Sequence, residues 1–354
     1  MSEHTPGHGP SRELVTGATG LVGMHRLAWR LERNWPTVAL HREGSDLTRT
    51  AEFLRAKLGL KFDEAWAALE WRQADLSSPM DLEDAMQGCD RVFHAAGRVS
   101  FKPGDEAMLK AVNQLGTAHV VNAALAVGVQ RLFHISSVAA LGRSQGGDGG
   151  QLRVTEGSDW AEGAGASPYG LSKHAAEMEV WRGMAEGLDV IVVNPTIILG
   201  EATYEESSGM VYQRAAQGRK YHPVGGNGFV GAEDVLSVCA ALDKAADAGQ
   251  KDILGERFVV SAEDVSYRDL MGWIAEGLNV AAPTKPLAGW MLEVGWRLAA
   301  VLSWVTRRPP LLTKDLARNT RKRHGYDTSK LKRTLPEFAF TPIQEVVKAA
   351  TSRG

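Results

Sequence analysis

Cysteine is scarce. The chain has two, Cys89 and Cys239, in 354 residues, so no disulfide framework holds it, which fits a reducing compartment and an expected cytoplasmic location. Neither CxxC nor HExxH occurs, so the common metal-ligand spacings are absent. Charge of one sign is not in excess: 40 Lys and Arg face 42 Asp and Glu, a net charge of −2. That balance gives no reason to expect nucleic acid or an anionic surface as the main partner. Long apolar runs are missing too, and no transmembrane segment is expected. The nearest candidate, 286–306 (PLAGWMLEVGWRLAAVLSWVT), carries Glu293 and Arg297 in its middle, spaced to pair on one helical face. It reads as a packed helix. Flanking Trp290, Trp304, Arg307 and Arg308 leave a membrane-surface contact as the alternative. The opening MSEHTPGHGPS lacks the apolar core of a signal peptide, so residues 1–11 are expected to be a disordered tail.

What is present is alternation. ELVTG (13–17), TVALH (37–41), LEWRQ (69–73), DRVFHAA (90–96), QRLFHISS (130–137) and LDVIVVNP (188–195) read as buried strands. Between them lie stretches with apolar residues at helical spacing, such as 108–128. This pattern predicts parallel βαβ units in a doubly wound α/β sheet of the Rossmann kind, whose two covered faces explain strands as apolar as VIVVN. Past residue 200 the pattern changes. We expect a dinucleotide-binding domain over 12–200, to which 229–262 returns. A smaller, interleaved, mainly helical substrate lobe is expected from 201–228 and 263–354. In such sheets ligands bind beyond the carboxyl ends of the strands.

TGATGLVG (16–23) follows the first strand and opens a helix. Gly17 suits the tight turn, Gly20 the approach of a pyrophosphate, and Gly23 close helix–sheet packing. Thr19, Leu21 and Val22 bring the helix N-terminus, with its free N–H groups, to the phosphates. The second strand ends in His41 and Arg42, where a cofactor with a free ribose 2′-hydroxyl would meet an acid. A cation there suits a 2′-phosphate, so NADP(H) is favoured and NAD(H) remains open. Asp75, followed by Leu76, stands after the third strand, where it can accept from an adenine amino group or start the next helix. Ala95, Ala96 and Gly97 follow the fourth strand and are further candidates for cofactor contact.

HISSVAALG (134–142) closes the fifth strand, and SPYGLSK (167–173) opens the next long helix. With the glycine loop, NPTIILG (194–200) and GFVGAEDV (228–235), in that order, the chain resembles the extended short-chain dehydrogenases/reductases. It is most similar there to the dihydroflavonol-reductase and 3β-hydroxysteroid-dehydrogenase-like branch of the NAD-dependent epimerase/dehydratase family, over about residues 12–350. The resemblance implies that Tyr169 is the general acid/base on the substrate oxygen. Lys173, one turn later on the same face, would favour the phenolate of a group whose ordinary pKa is about 10. It implies that Ser137, five residues before Gly142, donates a hydrogen bond to the same oxygen. It also places Pro195, Ile197 and Ile198 beside the nicotinamide, and Asn113 in a family element that is either cofactor-facing or structural. His94 and His134 read as satisfied sheet residues, and RNTRKRH (318–324) as a solvated face.

Three activities compete: a carbonyl/alcohol oxidoreductase, a sugar-nucleotide epimerase or dehydratase, and a non-catalytic nucleotide sensor. Val138 and Ala139 stand where the resemblance would put dehydratase carboxylates, and the complete Ser137, Tyr169 and Lys173 set speaks against a sensor. The expected partner is a small carbonyl or alcohol substrate, moderately apolar, in a monomer or homodimer. The glycine-rich loop 142–166 is long enough to be a lid.

Overall fold

In a computed structural model of the chain, residues 10–142, 153–158, 167–201, 209–218, 220–306 and 323–352 are described. Most of the expected lid, the first nine residues of the expected tail and residues 318–322 of the basic run lie outside them.

The first half alternates as the sequence predicts: β1 (Glu13–Thr16), α1 (Leu21–Leu31), β2 (Thr37–His41), α2 (Thr48–Leu58), α3 (Phe62–Ala68), β3 (Glu70–Gln73), α4 (Pro79–Met86), β4 (Arg91–His94), α5 (Glu106–Leu109), α6 (Gly116–Val127) and β5 (Arg131–Ile135). The second half runs β6 (Arg153–Val154), α7 (Pro168–Ala185), β7 (Asp189–Pro195), β8 (Ile197–Leu199), α8 (Gly209–Ala216), β9 (Tyr221–His222), β10 (Gly226–Gly231), α9 (Ala232–Asp247), β11 (Glu256–Val260), β12 (Glu263–Ser266), α10 (Tyr267–Gly277), β13 (Lys285–Pro286), α11 (Gly289–Thr306) and β14 (Gly325–Tyr326). Between α5 and α6 the helix widens into a π turn at Lys110–Leu115. Periodicity gave no sign of it, because apolar spacing does not distinguish one extra residue in a turn.

Seven parallel strands form the main sheet in the order β11-β7-β5-β4-β1-β2-β3. Strand order reverses between β1 and β4, which opens a crevice at their carboxyl ends. One face buries Val15, Phe93, Phe133, Ile191 and Val193 against α1 and α9. The other buries Leu14, Val92, Leu132, Val190 and Val192 against α4, α6 and α7. Burial on both faces makes the central strands apolar throughout, while the edge strand β3 is only half covered.

Residues 226–231 do not join this sheet. β10 lies between β8 and β12 in a separate three-stranded sheet, whereas α9 and β11 pack on the main one. Over the small sheet Leu199, Tyr212, Phe229, Leu270, Ile274, Ile343 and Val347 make a second core. Of the stretch read as helical beyond 263, residues 263–266, 285–286 and 325–326 are short strands. No described helix is long and apolar enough to cross a membrane. α11 leaves Trp290, Val294 and Leu298 exposed, with Arg297 paired to Glu293 at 2.7 Å.

Candidate active site

Gly17 has φ +67°, and a Cβ there would lie 2.7 Å from the amide nitrogen of Ala96. A Cβ on Gly23 would lie 2.0 Å from the carbonyl oxygen of Gly17. Both glycines are therefore dictated by backbone approach. They bring the β1 turn against Ala95–Ala96 at the end of β4 and seat α1 directly beneath it. Gly20 caps α1 without a side-chain acceptor, so Thr19, Leu21 and Val22 surround a helix end whose first N–H groups are offered outward. Gly20 leaves the space before that helix end open, a Cβ there meeting only the Gly17 carbonyl oxygen at 3.4 Å, and the cradle fits a pyrophosphate.

The lip beyond β2 and β3 is polar. Arg42, Glu43, Gln73, Ala74, Asp75 and Asp81 line a cavity of about 270 Å³. Asp75 accepts from the Ser77 amide at 2.8 Å and from its hydroxyl at 2.6 Å. Those bonds, with the more distant Arg42, hold its carboxyl below the usual range. His41 turns its Nδ1 to the Arg42 carbonyl at 3.0 Å. Leu76 packs on Gly116, and its carbonyl oxygen meets His119 at 2.7 Å.

The residues expected to handle the proton come from the end of β5 and from α7. Ser167 caps α7 by accepting from the Gly170 amide, and Pro168 fills the first turn, a combination that starts a helix cleanly. Gly170 permits the next approach: a Cβ there would lie 2.6 Å from the carbonyl oxygen of Ala139. The start of α7 is thereby pressed on the 3₁₀ turn Val138–Ala140 that follows Ser137. The Ser137 Oγ accepts from the Ala139 amide at 3.1 Å, and its hydroxyl faces that of Tyr169 closely enough to offset part of the rise that burial gives the tyrosine's pKa. One turn along, Lys173 donates from Nζ to the Ile135 carbonyl at 2.8 Å.

Electrostatics sharpen the roles. Burial raises the Tyr169 pKa, partly offset by the Ser137 hydrogen bond, because a phenolate loses its hydration there. Burial also pushes Lys173 down to about 8, against the opposing field of Glu177. The sequence assigns the lysine the task of favouring the phenolate. Here desolvation dominates instead, and the tyrosine is held in its acid form.

Asn113 lies on the π turn, buried. Its Oδ1 accepts from the Arg98 amide at 2.7 Å, and its Nδ2 donates to the Arg98 carbonyl at 2.9 Å and the Ser172 hydroxyl at 2.8 Å. It clamps the loop after β4, and the adjacent Gly97 sits with its open face toward Asn113 and Lys173. Pro195 ends β7, while Ile197 and Ile198 in β8 pair with Phe229 and Val230. Of the paired histidines, His94 is satisfied, by Thr16 at 2.8 Å and Thr117 at 3.0 Å. His134 has neither ring nitrogen hydrogen-bonded among the described residues. Burial holds His94 down at about 3 and His134 well below the ordinary range, so both are neutral.

Two groups of residues escaped the sequence reading. His25 on α1 touches Glu233 at 2.9 Å and the Glu201 carbonyl at 3.0 Å, while Lys57 pairs with Glu201 and Glu233. This node ties the cofactor helix to the exit of β8. Glu177, Asn194 and Arg257 form a second network beneath Ser136. Its one legible signal was the spacing of Glu177, a single turn beyond Lys173.

A parallel sheet with a phosphate cradle at its switch point and a serine–tyrosine–lysine set beside it defines an extended short-chain dehydrogenase/reductase. The chain belongs to the NAD dependent epimerase/dehydratase family, whose sequence model matches residues 13–259. A Synechocystis sp. protein provisionally named dihydroflavonol 4-reductase is 27% identical over 319 residues, covering 89% of this chain and 87% of its own. Sterol demethylase protein B of Methylococcus capsulatus is 32% identical over 267 residues, 74% of this chain and 73% of its own. The crystal structure of gox2253 superposes with a TM-score of 0.74 at 26% identity, over 96% of each chain. The protein is thus an NAD(P)-dependent enzyme of the oxidoreductase type.

Proposed function

We propose that the protein reduces the carbonyl of a small, moderately apolar substrate with NADPH, and oxidises the alcohol in reverse. The observation that carries this reading is the start of α7 pressed on the turn after Ser137, which sets the Ser137 and Tyr169 hydroxyls together, with the Lys173 Nζ bonded to the Ile135 carbonyl one turn behind. A dinucleotide held by its pyrophosphate in the cradle would supply the hydride from its nicotinamide. Ser137, whose Oγ already accepts from Ala139, turns its hydroxyl hydrogen from Tyr169 to the incoming substrate oxygen and polarises it. Tyr169, kept neutral by burial, gives that oxygen its proton as negative charge develops there. The Lys173 ammonium stabilises the phenolate left behind. Positioned proton transfer of this kind contributes about 10²–10⁴-fold.

Two further features support the substrate class and the cofactor. Phe101 stands edge-on to the Tyr169 ring, with centroids 5.7 Å apart, and is 53% exposed, an apolar wall at the reacting hydroxyl. The names of the two relatives, a flavonoid-type reductase and a sterol-processing protein, agree with an apolar substrate. Arg42 on the lip of the outer cavity supports NADPH, since a guanidinium matches a 2′-phosphate.

The test is to titrate NADPH and NADH by fluorescence, then screen aryl and alicyclic ketones and aldehydes for NADPH oxidation. Turnover of such a carbonyl supports the reading. Tightly retained NAD with interconversion of a UDP-sugar, and no net redox change, would replace it with an epimerase.

A further inference from the structure

Behind the reacting residues lies a buried polar layer that the proton transfer itself does not use. Glu177 is wholly buried on α7, four residues after Lys173 and on the same face. Its Oε1 accepts from the Ser136 hydroxyl at 2.5 Å and from the Asn194 amide at 2.5 Å. Its Oε2 accepts from Arg257 at 3.1 Å. The same Asn194 amide donates to the Ser137 carbonyl at 3.0 Å. Arg257, on the edge strand β11, is anchored in turn by two bonds to the Glu156 carbonyl, at 2.9 and 2.6 Å.

A carboxylate taken fully out of water is costly unless it is paired and hydrogen-bonded. This one has a cation and two donors, and all three sit on strands, or strand ends, that frame the site. The charged or titratable groups facing Lys173 are few. Tyr169 and Glu177 share its helix, His94 comes from β4 and His134 from β5, and Arg257 reaches in from β11 behind Glu177. Both histidines are neutral, so the negative field on the ammonium comes from Glu177.

We propose that Glu177 is a positioning residue for the proton-transfer site. It is the buried counter-charge that keeps the Lys173 ammonium protonated, and it holds the ends of β5 and β7 so that Ser137 stays in line with Tyr169. Two opposing influences on Lys173 agree with this arrangement, burial driving its proton off and Glu177 holding it on. The proposal rests on the reading of Ser137, Tyr169 and Lys173 as the reacting set, yet its test needs no substrate.

Full-length protein labelled with [6-¹³C]lysine reports the Lys173 ammonium through its Cε resonance, assigned by its loss in Lys173→Met. The wild-type midpoint should lie near 8. Glu177→Gln, nearly the same shape without the charge, should lower that midpoint by about one pH unit or more. A merely structural role predicts the reverse, since a loosened core admits water and returns the lysine toward its ordinary value of about 10.4. An unchanged or raised midpoint overturns the proposal. Should Glu177→Gln not fold, Arg257→Gln at the more accessible edge strand decides. Removing that cation should raise the Lys173 midpoint, and no change or a fall overturns the counter-charge role. Either failure would leave the hydride-transfer reading standing, because that reading is tested by Tyr169 and by carbonyl turnover.

Discussion

The Nζ of Lys173 lies 2.8 Å from the carbonyl oxygen of Ile135, so the ammonium is moored to the strand that presents Ser137 two residues later. A long, flexible side chain is thereby made a fixed part of the site. Helix α7 supplies Tyr169 and Lys173, β5 supplies Ser137, and the Lys173–Ile135 bond joins the two elements from below. The close seat of Gly170 on Ala139 joins them from above.

Fixing a buried cation has a stability consequence. The folded-state pKa of Lys173, about 8, lies below its ordinary 10.5. Below pH 8 both folded and unfolded chains hold the proton, and the folded state bears the full cost of the buried charge. As pH rises from 8 to 10.5 the unfolded chain binds more protons than the folded one, so the penalty is relieved. Lys173→Met should therefore abolish turnover, and the wild type should gain stability relative to the variant between pH 8 and pH 10, by on the order of 1–3 kcal/mol. Thermal melts of both proteins at pH 7 and pH 10 check this, and Tm values that move in parallel with pH would contradict it.

The phosphate cradle makes a second prediction. Gly23→Ala places a methyl 2.0 Å from the Gly17 carbonyl oxygen, which must push the turn away from α1. NADPH affinity should fall tenfold or more by fluorescence titration, with the far-ultraviolet circular dichroism retained. Unchanged affinity would show that the turn does not hold the pyrophosphate.

Arg42→Ala separates the two cofactors. Loss of a charge-assisted contact to a 2′-phosphate costs about 1.5–3 kcal/mol, so NADPH should bind roughly tenfold to a hundredfold more weakly while NADH changes little. Equal losses for both cofactors would mean that Arg42 does not read the 2′ position.

Gly170→Ala tests the alignment of tyrosine and serine. Its methyl would lie 2.6 Å from the Ala139 oxygen, and relief of that clash lifts the start of α7 away from Ser137. A fall in kcat of about tenfold or more is expected, with NADPH affinity preserved because the cradle is on β1 and α1. Single-turnover measurements at saturating NADPH distinguish this from a binding defect.

Much of this architecture is legible in the chain alone. Continuous apolar runs mark the main strands because a parallel sheet is buried on both faces, and the structure trims none of them by more than three residues. The glycine turn and the SPYGLSK helix start are local devices, written in adjacent residues. What is not local is not legible. β14 is two residues long and exists by pairing with β6, far away in sequence, so nothing in GY predicts it. The small sheet takes β10 from a segment expected to return to the main one, since a short apolar strand does not say which sheet it joins. The same limit hides Glu177, whose partners Ser136, Asn194 and Arg257 are gathered from three strands. Likewise the influence of Lys173 on Tyr169 could be drawn from spacing, but not the burial that outweighs it.

The central claim is that Tyr169 delivers the proton, and Tyr169→Phe tests it most directly, since it removes one hydroxyl and keeps the ring against Phe101. With a carbonyl that the wild type reduces, kcat/KM for NADPH-dependent reduction should fall by about 10²–10⁴ while the NADPH dissociation constant stays within about twofold of the wild type. A variant that keeps wild-type turnover would contradict the account.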